Sequence, residues 1–567
     1  MLALNFVRVN GDKKQNVSVS SFSTFLKPWP THHLLPSSSM HVADSHHLLA
    51  CRDTCMHLPY IFPSLHCQDN GACIVQLVPC LVANLGCLST GLALGYYTVF
   101  LSWAVKVTIT PLANAAIQDE VVGHLPAASN NSSLPSFPLP GLGSWIGSVF
   151  WLGVLLGLPL SHHLACRLGN RFSLLLLCLP DLLGWLLLAA PPSPPLLFLG
   201  RLLTGVASGG YFPLVRCLTW EVSQEHHRSL LSLLPLPAMG LGTLIIYNLG
   251  LLLHPGHIAA VCVAIPVLLG FLLLFVRDTP LWLLREGRDH QALGALERLR
   301  GGDTGTAVAE LVSLQREVKN EEPPPDFIEG VRTIYRKHLD TFATIGAFVF
   351  VMAFSGKFSV DFFAIQLFHM AGSHPNDHYS AVIAAFIYVI GCILFILLER
   401  SFSRKSLYLF SSLACGIALS TFALSIYNSH TYPTTSTMLP LLSLCLFMVC
   451  TPLGLTSLPL TLLHSSFPPE LQGLGSGLSL GVAALHLLTA SHLYATLQAA
   501  LGLHWLVWVQ AALCFLAALL GLHLLPDEAP AKPRLPAIDK FAGLRIQNRR
   551  DRIQAWTAGP CTGVTAI

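Results

Sequence analysis

Charge is what this chain has least of. Asp, Glu, Lys and Arg make up 11% of its 567 residues, where a soluble domain carries about a quarter. With 53% hydrophobic residues and a mean hydropathy of +0.60, an ordinary soluble protein is excluded. The net charge of +3 is too small for the basic surface that nucleic acid requires, so no nucleic-acid partner is expected. There is no Gly-rich loop running into Lys-Ser/Thr, which argues against ATP-driven work. No nucleophile–base set stands out either, so neither an enzyme nor a cofactor is expected. The sixteen cysteines are scattered, and Cys178, Cys217, Cys262, Cys392, Cys415, Cys445 and Cys514 fall inside apolar runs as small hydrophobes. Cys51, Cys55, His57, His66, Cys67 and Cys73 crowd together, but their spacing fits no two-plus-two zinc pattern, so no metal site is expected. Residues 1–74 read as a disordered Ser/His/Pro-rich tail. No clean signal peptide precedes the first apolar run, which is expected to direct insertion itself.

What is present is a series of membrane-length apolar runs. Six lie near 75–101, 144–164, 172–190, 196–219, 229–252 and 257–276, and six more near 341–368, 379–398, 406–427, 437–463, 473–494 and 503–525. Most reach the roughly 20 residues needed to cross the hydrocarbon of a bilayer. The expectation is an all-α integral membrane protein of twelve transmembrane helices in two six-helix halves, 75–276 and 341–525, the layout of transporters built from repeated halves. A charged linker, 277–340, joins them, and 526–567 forms a polar tail. Within the linker, Gln291–Leu299, Ala307–Val318 and Asp326–Leu339 have helical spacing of apolar residues, and Pro323-Pro324-Pro325 interrupts them.

Basic residues gather between alternate spans: Arg167 and Arg171, Arg228, Arg285 to Lys337, then Arg400, Arg404 and Lys405, against little but Lys106 on the other side. The positive-inside tendency makes the linker and both termini cytoplasmic. The overlapping sequons at Asn130 and Asn131 then fall outside the cell, as N-glycosylation requires. A multi-pass plasma-membrane glycoprotein is expected.

Gly200-Arg201-Leu202-Leu203-Thr204-Gly205 leads through Glu221 to Arg228. Asp278-Thr279-Pro280 follows span 6, and Arg167, Gly169 and Arg171 sit between spans 2 and 3. Glu399, Arg400, Arg404 and Lys405 repeat that loop after span 8, while Phe467-Pro468 and Gly473-Leu474-Gly475-Ser476-Gly477 open span 11. Pro526-Asp527-Glu528 closes the likeness, which runs from Leu77 to about Glu528. On these residues the chain resembles the sugar porter family of the major facilitator superfamily, the facilitative glucose and trehalose transporters. It departs from that pattern at Cys166 and Asn170, at Arg277 and Leu281, and at Ser465 and Gln472. The resemblance implies a hexose or trehalose substrate moved by alternating access. It also implies gating or hinge roles for Arg167, Gly169, Arg171, Arg201, Gly205, Glu221, Arg228, Asp278, Glu399, Arg400 and Arg404.

Carried over position by position, the resemblance places the central cavity at Leu236, Met352, Ala353, Phe358, Tyr388, Leu460, Ala483 and Ala484. Sugar porters hold amides or Trp at most of these positions; here all but Tyr388 are apolar. Several missing hydrogen bonds at roughly 0.5–1.5 kcal/mol each are enough to erase millimolar affinity for a hexose. Charge arrives instead. Lys357 and Asp361 stand four residues apart on span 7, with Asp181 in span 3 and Arg216 in span 4. Lys357 and Asp361 either serve a charged or polar solute or form an ion pair internal to one helix. Two rivals to a sugar facilitator therefore stand: a transport-incompetent sensor or partner-binding relative, and a carrier of charged organic solutes. A small solute and the lipid bilayer are the expected partners.

Overall fold

The computed structural model describes residues 70–121, 139–191, 193–320, 327–371, 377–431, 438–468 and 471–525. The tail cysteines and histidines from Cys51 to Cys67, the sequons at Asn130 and Asn131, Pro323–Pro325 and the segment from Pro526 onward lie outside these. So do the side chains of Cys73, Lys106, Ser465 and Gln472.

Among the described residues every regular element is helical. Ten stretches are long and apolar enough to cross a membrane. One of them, Ser144–Ala189, is two spans: the helix Leu139–Ala189 is interrupted at Gly169, whose φ of 80° takes it out of helical geometry. Pro194–Val222, diluted by glycines and two arginines, is span 4 and brings the total to twelve. Span 1 lies in Asn70–Val121, whose helix continues well past the end expected from hydropathy. Span 5 is Pro235–Leu252 preceded by the short helix Glu225–Leu231, and span 6 is Pro255–Cys262 with Ala264–Phe275. Span 7 is Leu339–Phe354 with Lys357–Met370, span 8 Asp377–Leu398, and span 9 Arg404–Thr431. Span 10 is Leu439–Cys450 with Ser457–Ser465, and Gly502, at φ 81°, separates span 11 (Gln472–Leu501) from span 12 (Leu503–Leu524).

Local chemistry sets several of these boundaries. Pro194, Pro235, Pro255 and Pro280 stand in first turns, where the missing N–H costs nothing. Phe271, Phe275, Phe386, Phe410, Leu442 and Trp505 are exposed, as the apolar faces of spans must be when lipid is the solvent. Inward faces instead approach closely. A Cβ on Gly205 of span 4 would lie 2.2 Å from the Phe150 carbonyl oxygen of span 2, and one on Gly153 would lie 2.2 Å from the Leu202 oxygen. Gly153-x-x-x-Gly157 and Gly205-x-x-x-Gly209 thus interlock backbone against backbone.

Between spans 6 and 7 come Pro280–Arg285, Asp289–Leu299, Thr304–Asn320 and Phe327–Lys337. The last three match the short helices expected from apolar spacing. Arg300 docks this region to span 4. Its Nε and Nη2 grip Glu310 at 2.7 and 2.6 Å, and Nη1 reaches the Val222 oxygen at 3.4 Å. The first six spans contact the second six mainly through span 2 on span 11, span 5 on span 8, and span 1 on span 7.

Candidate functional site

Span 7 is broken at its middle. Gly356 has φ +96°, a left-handed conformation that a side chain would strain. A Cβ there would also sit 2.9 Å from Gln510 Oε1 of span 12. The break restarts the helix at Lys357, so Lys357 and Asp361 share one face of its first turn. Both are buried, with side chains 6% and 8% exposed, and they form an ion pair. The Lys357 ammonium also lies 4.1 Å from the centre of the Tyr388 ring. The backbone oxygen of Asp361, two residues before the kink at Phe363, accepts hydrogen bonds from Thr98 Oγ1 and from Tyr247 OH at 2.9 Å. Spans 1 and 5 of the first half are thereby tied to span 7 of the second.

The other positions expected to line a cavity are buried or half-buried in apolar packing. Leu236, Tyr388 and Leu460 pack in one apolar cluster with Leu233, Phe395 and Ile396. Met352 and Ala483 pack in another, which Phe358 and Leu460 also join. Ala353 packs in the large central core and Ala484 is buried. Chemically, the centre is a largely apolar wall carrying one ion pair, with Gln510, Ser359 and Ser355 bonded beside it.

On the linker side of that level, the Leu233–Leu236 contact with span 8 joins the halves, and Arg216 Nη1 donates to the Leu460 oxygen at 2.9 Å. On the opposite side, aromatic rings join them. Tyr97 of span 1 meets Phe362 and Phe363 of span 7 at 5.3 and 6.0 Å, and Trp151 of span 2 meets Phe358 at 5.4 Å. Trp145 of span 2 packs on His492 of span 11 at 4.4 Å, and within the second half Phe363 stacks on Tyr494 at 4.4 Å.

The expected gate residues divide into separate groups. Arg171 donates to the Leu273 and Leu274 oxygens at 3.0 and 3.1 Å and pairs with Asp278 at 3.1 Å. Gly169 lies under the Trp282 ring, which leaves no room for a Cβ. Glu221 accepts from Asn170 Nδ2 at 2.9 Å, so the residue that departs from the family pattern still partners the acid. Arg228 covers the Trp220 ring at 4.3 Å. Arg167 and Arg400 are exposed. Arg404 lies 3.9 Å from Glu399, whose carboxyl is raised above the usual range by burial and opposed by Arg404, Arg400 and Arg216. These two residues border a concavity of about 10 Å³ with Phe395, Leu453 and Leu458, room for about one water. Arg201 joins none of this. Twenty helical residues at about 1.5 Å each separate it from Glu221, and it is buried instead between the Tyr97 and Phe150 rings. Asp181 is likewise apart, held by Ser89 Oγ at 2.7 Å and Tyr211 OH at 3.1 Å.

Three contributors escaped sequence reasoning. Gln510 donates to Ser359 Oγ at 2.9 Å behind the break, Tyr247 reaches Asp361, and Trp151 lines the aromatic side. A lone amide in an apolar span was the available signal for Gln510.

The sequence pattern of the family described as Sugar (and other) transporter matches residues 80–529. The chain belongs to that family. It is 25% identical over 389 residues to the facilitated trehalose transporter Tret1-2 homolog of Drosophila simulans, covering 68% of this chain and 79% of that one. The facilitated trehalose transporter Tret1 of Apis mellifera ligustica is 26% identical over 381 residues, 66% of this chain and 75% of that one. Among solved structures, the inward-open xylose transporter XylE of E. coli superposes with TM-score 0.63 at 17% identity, covering 81% of this chain and 98% of that one. The proton:xylose symporter XylE bound to 6-bromo-6-deoxy-D-glucose gives 0.62 at 18% identity, covering 80% and 96%. The family member described here is thus a multi-pass membrane protein with the major facilitator fold.

Proposed function

We propose that the chain is a facilitator that moves a small solute across the plasma membrane by alternating access, without ATP. The six-helix bundles 75–276 and 341–525 rock about the mid-membrane level of Lys357, with the linker 277–340, residues 1–74 and residues 526–567 on the cytoplasmic side. The trehalose transporters among its relatives support a hexose or trehalose as solute. The observation that carries the reading is the pair of separable interfaces. Apolar contacts and Arg216 close the halves on one side of the span 7 break, aromatic contacts close them on the other, and each can open without breaking a helix bundle. Leu236, Met352, Ala353, Lys357, Phe358, Asp361, Tyr388, Leu460, Ala483 and Ala484 line the path. Arg167, Gly169, Arg171, Glu221, Arg228, Asp278, Glu399, Arg400 and Arg404 govern the linker-side interface, and Arg201 and Gly205 the opposite one.

Uptake of labelled glucose and trehalose into vesicles holding the purified chain tests this. Saturable flux of either sugar supports a sugar facilitator. A second reading, a carrier of charged organic solutes, draws on the ionic centre and apolar walls. Saturable flux of an organic acid or amine with no sugar flux favours it, whereas no flux of any solute leaves a sensor-like relative.

A further inference from the structure

On the side away from the linker, five side chains close a ring. The Arg201 guanidinium carbon lies 4.8 Å from the Phe150 ring centre and 5.7 Å from that of Tyr97. Phe150 meets Trp151 at 5.3 Å, Trp151 meets Phe362 at 6.3 Å, and Phe362 meets Tyr97 at 5.3 Å. Spans 1, 2 and 4 of the first half supply four members, and span 7 of the second half supplies Phe362.

Hydrogen-bond donors in this ring outnumber acceptors. Arg201 is 1% exposed, and its Nη1 donates to the Ala93 oxygen. Its Nε and Nη2, and Trp151 Nε1, have no hydrogen-bond partner among the described residues. Buried N–H groups nearly always find an acceptor, and a missing one points to water or an ion. The guanidinium stays protonated, and ring faces attract its charge without accepting its hydrogens. Asp181, the acid of span 3, is already engaged by Ser89 and Tyr211.

Three unpartnered donors in one ring of side chains, two of them on the charged guanidinium, call for a small acceptor of negative charge. We propose that Arg201 and Trp151 form a binding site for a monovalent anion, either a halide or the carboxylate of an organic solute. Because Phe362 belongs to the opposite half, occupancy of the site is coupled to closure on this side. The site is independent of whether the transported solute is a sugar.

Thermal unfolding of the purified full chain in detergent tests it, with sodium isethionate replaced stepwise by sodium chloride or sodium acetate at constant ionic strength. At least one of these anions raises the midpoint saturably, by about 1–3 °C, and Arg201→Gln abolishes the rise. A response to chloride alone assigns a halide; a response to acetate assigns a carboxylate. Trp151→Phe keeps the charge but removes one donor, and raises the half-saturating concentration about 3–10-fold. A wild-type midpoint that neither anion moves relative to isethionate overturns the proposal, as does an equal rise in Arg201→Gln. If Arg201→Gln fails to fold, an unchanged half-saturation in Trp151→Phe overturns it instead.

Discussion

Replacing Lys357 by Met leaves the Asp361 carboxylate buried without its cation. The two side chains are 6% and 8% exposed, so solvent screens the pair little, and breaking such a pair costs about 3–5 kcal/mol. Loss of the contact with the Tyr388 ring, 4.1 Å away, adds about 0.5–2 kcal/mol. Removing both charges is a different perturbation. Lys357→Met with Asp361→Leu exchanges an ion pair for apolar packing, and the result should fall within about 1 kcal/mol of wild type. The double-mutant cycle therefore predicts a coupling of about 3 kcal/mol or more. Denaturant unfolding of the four proteins in mixed micelles measures it. A Lys357→Met variant that loses less than about 1 kcal/mol refutes the reasoning, as does a double variant that loses the sum of the two singles. Vesicle uptake by the double variant then separates the two roles of the pair. Retained flux makes it structural, whereas a stable protein without flux makes it a solute contact.

Three further outcomes follow from the packing. Arg300→Ala removes the two-pronged grip on Glu310 and should cost about 2–4 kcal/mol; faster hydrogen exchange across 304–320 marks the freed helix, and unchanged exchange contradicts its docking role. Gly205→Ala forces a methyl to 2.2 Å from the Phe150 oxygen and should cost about 1–3 kcal/mol, while Gly294→Ala, with open space around it, should stabilise its helix by about 0.4–1 kcal/mol; equal melting shifts in the two would discount the close crossing. For Glu399, burial raises the folded-state pKa, so its favourable contribution is present below the unfolded value of about 4.3 and is lost as pH rises through the folded one. Glu399→Gln should therefore melt higher than wild type at pH 8, with the gap closing toward pH 4, and a gap that widens on acidification reverses the sign.

How much of this was legible in the sequence depended on the range of the interaction. Span positions follow from apolar runs longer than any soluble helix face needs, and the linker helices follow from apolar residues recurring on one side. Lys357 and Asp361 were readable as a pair because helical geometry puts residues four apart on one face. The fate of Arg201 was not readable. Twenty residues at about 1.5 Å each already put Arg201 and Glu221 at opposite ends of span 4, but a match to a family's spacing does not say which rings enclose Arg201. Tyr247 and Thr98 were equally hidden, because their acceptor is a backbone oxygen on another span, which has no signature in the sequence.

The central polar groups already satisfy one another. Lys357 is held by Asp361 and faces Tyr388, Gln510 donates to Ser359, and Ser355 donates to the Met352 oxygen at 2.9 Å. A polyhydroxylated solute entering here must displace those bonds before forming its own, so each exchange is close to neutral in free energy. Among the described residues, buried nitrogens without a partner on the aromatic side include those of Arg201 and Trp151, off that centre. A solute or ion that binds tightly therefore gains most by reaching them, and an acceptor with negative charge gains more than a hydroxyl does. The scaffold is that of the family, and the proposed site at Arg201 and Trp151 is where a charged acceptor would gain most.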